Sequence, residues 1–365
     1  ARINRDAEII IMDREPQVPN FIAKFLTNYG FQFRKVHRIR PKTPVEIEPG
    51  LVVDMVEGDP RHEYSYLIDS GLILKWDGQV LYNSNDCEPY PDAIEYIRHQ
   101  YGQPDLSLLP YCAGSGYPAC FAQLTDEQKA SERDRIINGA LRLFVDTARS
   151  LDSKRVMPFA DQYVIGGSRF HLNKYAAHPP CPGACLEPMR AAGLQDRLLL
   201  LNPGQTFDLS TASKSPKQPY RHWTEDERME HAQALASYPY DHERITFSKS
   251  VPIQRLLASA RQRMWEVQQR QGYFPACYLY LDVPDRQMRF EINLKIPQVS
   301  EVELEGDNSL RQPHLRITAP STLLTMMLIN HVSWNMADGA RFLDYDRRPD
   351  IYDPKFNAFL NHLII

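Results

Sequence analysis

The stretch "DSGLILKWDGQVLYNSNDCEP", residues 69–89, decides how this chain is read. Two apolar runs, 72–76 and 80–82, flank Asp77-Gly78. An Asp-Gly pair between strand-like runs is a hairpin signal, because a two-residue turn of this kind needs positive φ at both positions. The second run then breaks into Asn83, Ser84, Asn85, Asp86 and Cys87. Asn, Ser and Asp bond their own backbone and suit a chain reversal. The end of a strand also suits a metal ligand, with Asp86 or Cys87 supplying it. On these residues alone both readings stand, and turn composition already accounts for them.

Working outward, "AEIIIM", "FQFRKVHRI" and "LVVDMVEG" read as strands. Between the first two, "VPNFIAKFLTNYG" reads as a helix. Phe21, Ile22, Phe25 and Leu26 recur at helical spacing, and Gly30 can stop it. "PYPDAIEYIRHQYG" is a short helix, and "DLSLLPYC" is a strand running into a Gly/Ser loop. Thr125 with Gln128 is a capping-box pattern. The helix it opens carries Ile136, Ile137, Ala140, Leu141, Phe144, Val145 and Ala148 on one face. "SKRVMPFA" is a further strand. From about 175 to 245 the chain is Pro-rich, as in "HPPCPGAC" and "SKSPKQPYRHW", which suits an insertion or cover. Residues 251–271 form an amphipathic helix. "CYLYLDV", "MRFEINL" and "HLRITA" alternate as strands, and "PSTLLTMMLIN" is an apolar helix whose Leu323, Leu324, Met327 and Leu328 read as core. The expected class is α/β, divided into 1–175, a Pro-rich connection 176–250, and an α+β region 251–365.

Composition narrows the function. The 365 residues carry a formal charge of −4, with no general attraction for nucleic acid or anionic lipid. Pro outnumbers Gly, 28 to 17, which suits ordered connections over floppy linkers. No apolar run reaches the roughly 18 residues needed to span a bilayer. The six Cys, at 87, 112, 120, 181, 185 and 277, lack the spacing of a small disulfide scaffold. Reduced thiols and a cytoplasmic location are the expectation.

Several motifs bear on chemistry. "CAGSGYPACF", residues 112–121, could cradle an anion with backbone N–H groups. It lacks Walker and dinucleotide-binding glycine spacing, and reads equally as a structural loop. "HPPCPGAC" places His178, Cys181 and Cys185 close together, yet structural zinc needs a second ligand pair. His62, beside Glu63, and His171, in "GSRFHLNKY", are further imidazoles at the ends of strand-like runs. Histidines and a carboxylate brought together from such ends would suit zinc or non-haem iron. There is no Gly-x-Ser-x-Gly elbow, and no basic, aromatic cluster for nucleic acid.

In order along the chain these patches resemble the metallo-β-lactamase fold. The hairpin that ends at Asp86 resembles the step leading to that fold's metal-binding Asp. The closer resemblance is to the branch containing CMP-N-acetylneuraminate hydroxylase and the UDP-N-acetylmuramate hydroxylases. "AGSGYPACF", "KRVMPFADQYV", "LLLLNPGQTFDL" and "ARFLDYDRRPDIYDPKFNAFLNHLII" fit that branch. The resemblance implies an αββα sandwich over 1–175, N-terminally incomplete, with a smaller α+β region after it. It implies Asp86, His62 and His171 as ligands of one or two iron or zinc ions, with Asp86 catalytic. It implies hydroxylation of an amino-sugar nucleotide or similar polar small molecule, fed by an electron-donor protein, without nucleic acid or membrane. The fold's His-x-His-x-Asp-His motif and the branch's Rieske domain are both absent from these residues. The chain is then a fragment, half of a split site, or a metal-free relic. Two alternatives remain open. One is a hydrolase of the same fold, acting on an ester, amide or phosphodiester. The other is a non-enzymatic lipid or small-molecule module, since the last third also resembles sterol-carrier-like domains.

Overall fold

The computed structural model describes residues 6–14, 26, 33–61, 70–87, 89–160, 164–245, 247, 251–304 and 310–365. They form a mixed α/β structure in two units whose chain segments interleave. The first gathers Ala1–Cys112, Asn138–Asp161 and Pro179–Trp223. The second gathers Ala113–Ile137, Gln162–His178 and Thr224–Ile365. The Pro-rich connection is therefore shared between them. Of the helix expected over 18–30 only Leu26 is described, and it is helical; the rest lies outside the described residues.

The first unit begins with a parallel pair, β1 (Glu8–Met12) with β2 (Lys35–Ile39). Its main sheet has six strands in sequence order. These are β3 (Val45–Glu48), β4 (Leu51–Glu57), β5 (Ser70–Trp76), β6 (Gln79–Asn83), β7 (Leu106–Pro110) and β8 (Val156–Phe159). The run β3 to β6 is antiparallel, and β6–β7–β8 is parallel. The Asp-Gly reading explains the β5–β6 turn. Asp77 and Gly78 take φ of 49° and 76°, and Trp76 pairs with Gln79. Both φ are positive, as the right-handed twist of a tight hairpin requires. The crossover from β6 to β7 contains the Pro91–Tyr101 helix, which starts on Pro91 and ends before Gly102. A small antiparallel pair, β9 (Thr206–Asp208) with β10 (Ser213–Ser215), lies in the Pro-rich part.

The second unit holds a five-stranded sheet. Its strands are β11 (Tyr278–Val283), β12 (Met288–Asn293), β13 (Gln298–Val302), β14 (His314–Thr318) and β15 (Asp344–Arg348). The spatial order is β13-β12-β11-β14-β15, and only β11–β14 is parallel. Alternation sorts its two faces. Leu279, Leu281, Phe290, Ile292 and Ile317 join one apolar core with Leu257 and Met264 of the Ile253–Gln271 helix. Leu323, Leu324, Met327 and Leu328 of the Ser321–Leu328 helix complete it. The other face is charged. Arg289 donates two hydrogen bonds to Asp282, at 2.6 and 2.8 Å, and Arg316 and Arg348 both reach Asp346. Residues 120–122 run beside β15. The Tyr345 N–H donates to the Cys120 carbonyl at 2.8 Å, and the Ala122 N–H to the Tyr345 carbonyl at 2.7 Å. No helix among the described residues is long and apolar enough to cross a membrane.

Candidate functional site

The extra edge at β15 carries the Gly/Ser loop against the last strand, and a cleft of about 1060 Å³ opens there, wholly within the second unit. Several chain regions build it, and three of them supply most of its aromatic and charged groups. The loop supplies Tyr117 and Phe121. The first turns of the Asp126–Leu151 helix supply Glu132 and Arg135, and β15 with the segment after it supplies Arg347, Asp350 and Tyr352. The expected capping box starts that helix. The Thr125 N–H donates to Gln128 Oε1 at 2.8 Å, and the Gln128 N–H to Thr125 Oγ1 at 3.3 Å.

Aromatic rings form one wall. Phe121 stacks on Tyr345 at 5.0 Å between centroids, and Tyr117 meets Phe121 edge-on at 4.9 Å. The Arg347 guanidinium lies 5.0 Å from the Phe121 ring, 5.5 Å from Tyr117 and 5.7 Å from Tyr352. Such cation–π contacts orient the guanidinium as well as attract it. Arg347 also donates to Asp350 Oδ1 from two nitrogens, at 2.9 and 2.6 Å. The Tyr117 hydroxyl sits 3.1 Å from Glu132 Oε2 and 3.2 Å from Asp350 Oδ2. It has one proton, so it donates to one carboxylate at a time. Arg135 donates to Glu132 at 2.7 Å. That bond holds the Glu132 carboxyl below its usual range, with the Tyr117 hydroxyl adding to the effect against burial. Burial, then the Asp350 and Glu132 charges, push the Tyr117 phenol well above its usual range. Tyr117 is thus a hydrogen-bond donor here, not a base or nucleophile. Tyr352 remains 60% exposed, which leaves its ring open to a ligand.

Asp86 and His171, expected as metal ligands, do not line this cleft. Asp86 lies in the turn that ends β6, in the first unit, and is exposed. The turn is built as its composition suggests. The Asn85 N–H donates to Asn83 Oδ1 at 2.9 Å, Asn85 takes φ of 51°, and the Cys87 N–H donates to the Ser84 carbonyl at 2.9 Å. His171 belongs to the second unit, exposed on the 3-10 helix Gly167–Tyr175, edge-on to Phe170. His62 lies outside the described residues. Among the described residues, no group of three or more His, Cys, Asp or Glu is arranged to hold a metal ion. One exposed carboxylate offers a single bond where a zinc site takes three or four protein ligands. The described residues therefore do not by themselves fit an iron or zinc centre.

The "HPPCPGAC" motif is likewise put to other use. The Arg228 guanidinium donates to His178 Nδ1 at 3.0 Å, which occupies the lone pair a metal would need. Cys181 and Cys185 are buried, and all six cysteines are free thiols. Cys120, within the Gly/Ser loop, is pushed up to about 11 by burial, against the pull of Arg169, so its thiol is inert near neutral pH.

Sequence reading missed Arg347, Asp350 and Tyr352 as a site. The signal was present in "YDRRPDIYD", where acid, base and aromatic residues alternate without an apolar period. The loop "CAGSGYPACF" was singled out, and it does line the cleft, with Ala113, Gly114, Ser115, Tyr117 and Phe121. No protein-family model matches this chain, and no curated protein matches its sequence.

Proposed function

We propose that this chain serves a metal-dependent, oxygenase-like enzyme that hydroxylates an amino-sugar nucleotide or a similar polar small molecule. In this reading the second unit's cleft holds the sugar. The first unit's six-stranded sheet corresponds in this reading to the metallo-β-lactamase-like sandwich of the resemblance, and the role of Asp86 as a metal ligand rests on that resemblance alone. The single observation that carries the substrate class is the cleft lining. Aromatic faces set among Arg–carboxylate pairs match a sugar ring, which offers apolar C–H faces and a rim of hydroxyls. The reaction class rests on the family resemblance, and an electron-donor protein follows from that chemistry. The lipid-module alternative is less favoured, because the apolar helix Ser321–Leu328 that suggested it is spent on the core.

The test is calorimetric. A nucleoside-diphosphate N-acetylhexosamine should bind the protein saturably, and the free nucleoside diphosphate more weakly. Y352A removes a ring that is mostly exposed, so the fold should survive. It should weaken sugar-nucleotide binding by about tenfold, in line with the loss of one stacking face. No binding of the sugar nucleotide, or equal binding by Y352A, would sink the substrate reading. With the intact enzyme, product formation that consumes no O2 would overturn hydroxylation in favour of hydrolysis.

A further inference from the structure

We propose that Asp338 is a ligand-binding carboxyl of this cleft, with Oδ1 fixed by the Tyr345 hydroxyl and Oδ2 left for a hydroxyl or amide N–H of the ligand. The proposal rests on the sugar-binding reading above and deepens it. Asp338 ends the short helix Trp334–Gly339 and lines the cleft together with Tyr345. The Tyr345 hydroxyl donates to Oδ1 at 2.8 Å. Oδ2 has no hydrogen-bond partner among the described residues, and the half-buried side chain leaves this oxygen open to the cleft. Held in place by the Oδ1 bond and open on the Oδ2 side, the carboxyl is oriented to accept from a ligand hydroxyl or N–H. The Gly/Ser loop packs tightly around it. A Cβ at Gly116 would stand 3.1 Å from Asp338 Oδ1 and 3.6 Å from Cys120 Sγ, so the glycine lets backbone close over the carboxyl.

The charge balance around Asp338 fixes how binding should respond to pH. Tyr345 faces it from β15, and Arg341 from the turn after its own helix. Tyr352 faces it from the C-terminal segment, and Cys120 lies beside Gly116 on the loop. Burial raises the carboxyl above its usual range, and the Tyr345 hydrogen bond and the Arg341 charge pull it partly back. The ionised form is the better acceptor for a ligand hydroxyl. Affinity should therefore be highest where Asp338 is ionised, and should fall as pH drops through its raised value.

The experiment is calorimetry with the nucleoside-diphosphate N-acetylhexosamine over a pH series, on wild type, D338A, D338N and Y345F. D338A should lose about 10- to 100-fold in affinity, the scale of one hydrogen bond to a charged group. D338N keeps the shape, and should bind more weakly at neutral pH without the acid inflection. Y345F removes the bond that lowers the carboxyl, so its inflection should move to higher pH. A merely structural role would not produce that movement. If wild type binds and Y352A weakens it, but D338A and D338N match wild type, Asp338 is not a ligand contact and only this proposal falls. The same holds if wild type shows no acid inflection. If wild type does not bind the probe, the substrate reading falls and takes this proposal with it.

Discussion

Asp54 shows what one residue's chemistry can hide. It sits in the apolar run of β4 and is fully buried. Its carboxylate is nonetheless satisfied. Tyr96 and Tyr101 both donate to Oδ2, at 2.5 and 2.7 Å, and the Met55 N–H donates to Oδ1 at 2.7 Å. Burial, then the Asp54 hydrogen bond and charge, push both phenols above their usual range, so both stay protonated as donors. Reading "LVVDMVEG" as a strand was right, yet nothing near Asp54 names its partners, which lie 42 and 47 residues on. The turn at Asn83–Cys87 is the opposite case, because the bonds that shape it, from the Asn85 N–H to Asn83 and from the Cys87 N–H to Ser84, close within a few residues. The cleft behaves like Asp54: Tyr117 and Asp350 meet across 233 residues, and no local pattern announces it. Asp54→Ala should lower unfolding stability by about 3 kcal/mol, since it removes a buried acceptor and leaves two phenols and a backbone N–H to find water. Urea denaturation checks it, and a loss within about 0.5 kcal/mol, the range of an ordinary surface change, would refute this account.

Elements were legible where the period was strong and the ends were marked. The Asp-Gly hairpin, the helix behind the Thr125–Gln128 box, the Ile253–Gln271 helix and the strands β11, β12 and β14 all follow their sequence patterns. Propensity, capping and burial agree there, so local preference and final structure coincide. The pairing of those elements was not legible. The insertion of residues 120–122 beside β15 depends on backbone hydrogen bonds that any side chain could accompany. The apolar helix Ser321–Leu328 tests the difference between core and lipid site. Leu323 and Leu324 are 0% and 1% exposed, and they share one cluster with the sheet. Leu324→Ala should therefore cost about 3 kcal/mol of stability, as buried Leu truncations do. Thermal unfolding should show the loss. A variant of unchanged stability that has instead lost a copurifying lipid would revive the lipid-module alternative.

At the scale of the whole molecule, the chain passes repeatedly between its two units, and each core needs distant segments. Ala119, Cys120, Phe121, Ile165, Leu172, Tyr175 and Ala176 complete a core otherwise built from residues beyond 250. Pattern reading by contiguous blocks has no means of finding such interleaving, because every block looks complete in its own periodicity. The second unit also gathers three histidines whose protonation opposes folding. Burial is the leading cause that lowers His242, His314 and His362 below the ordinary value of 6.5. His242 is held between aromatic rings, 5.4 Å from Tyr240 and 4.9 Å from Phe342. His314 shares its sheet face with Arg316 and Arg348, which add to the lowering, while Asp346 and the Arg311 carbonyl oppose it. The unfolded chain takes up these protons first as pH falls, so the unfolded state binds more protons than the folded one. Stability is then complete above the unfolded value and declines as pH drops from 6.5 toward the lower folded values. Carboxyls held low by cationic partners, such as Glu132, contribute their own acid loss only below their unfolded value of about 4.5. The midpoint of thermal unfolding should therefore fall steadily between about pH 7 and about pH 5.5, ahead of the carboxyls held low by cationic partners. His242→Gln cannot take up the proton and should flatten part of that slope, even if it lowers the midpoint at neutral pH. Calorimetric scans of wild type and variant at matched ionic strength decide it. Equal slopes in the two proteins would show that the His242 imidazole titrates alike in the folded and unfolded chain.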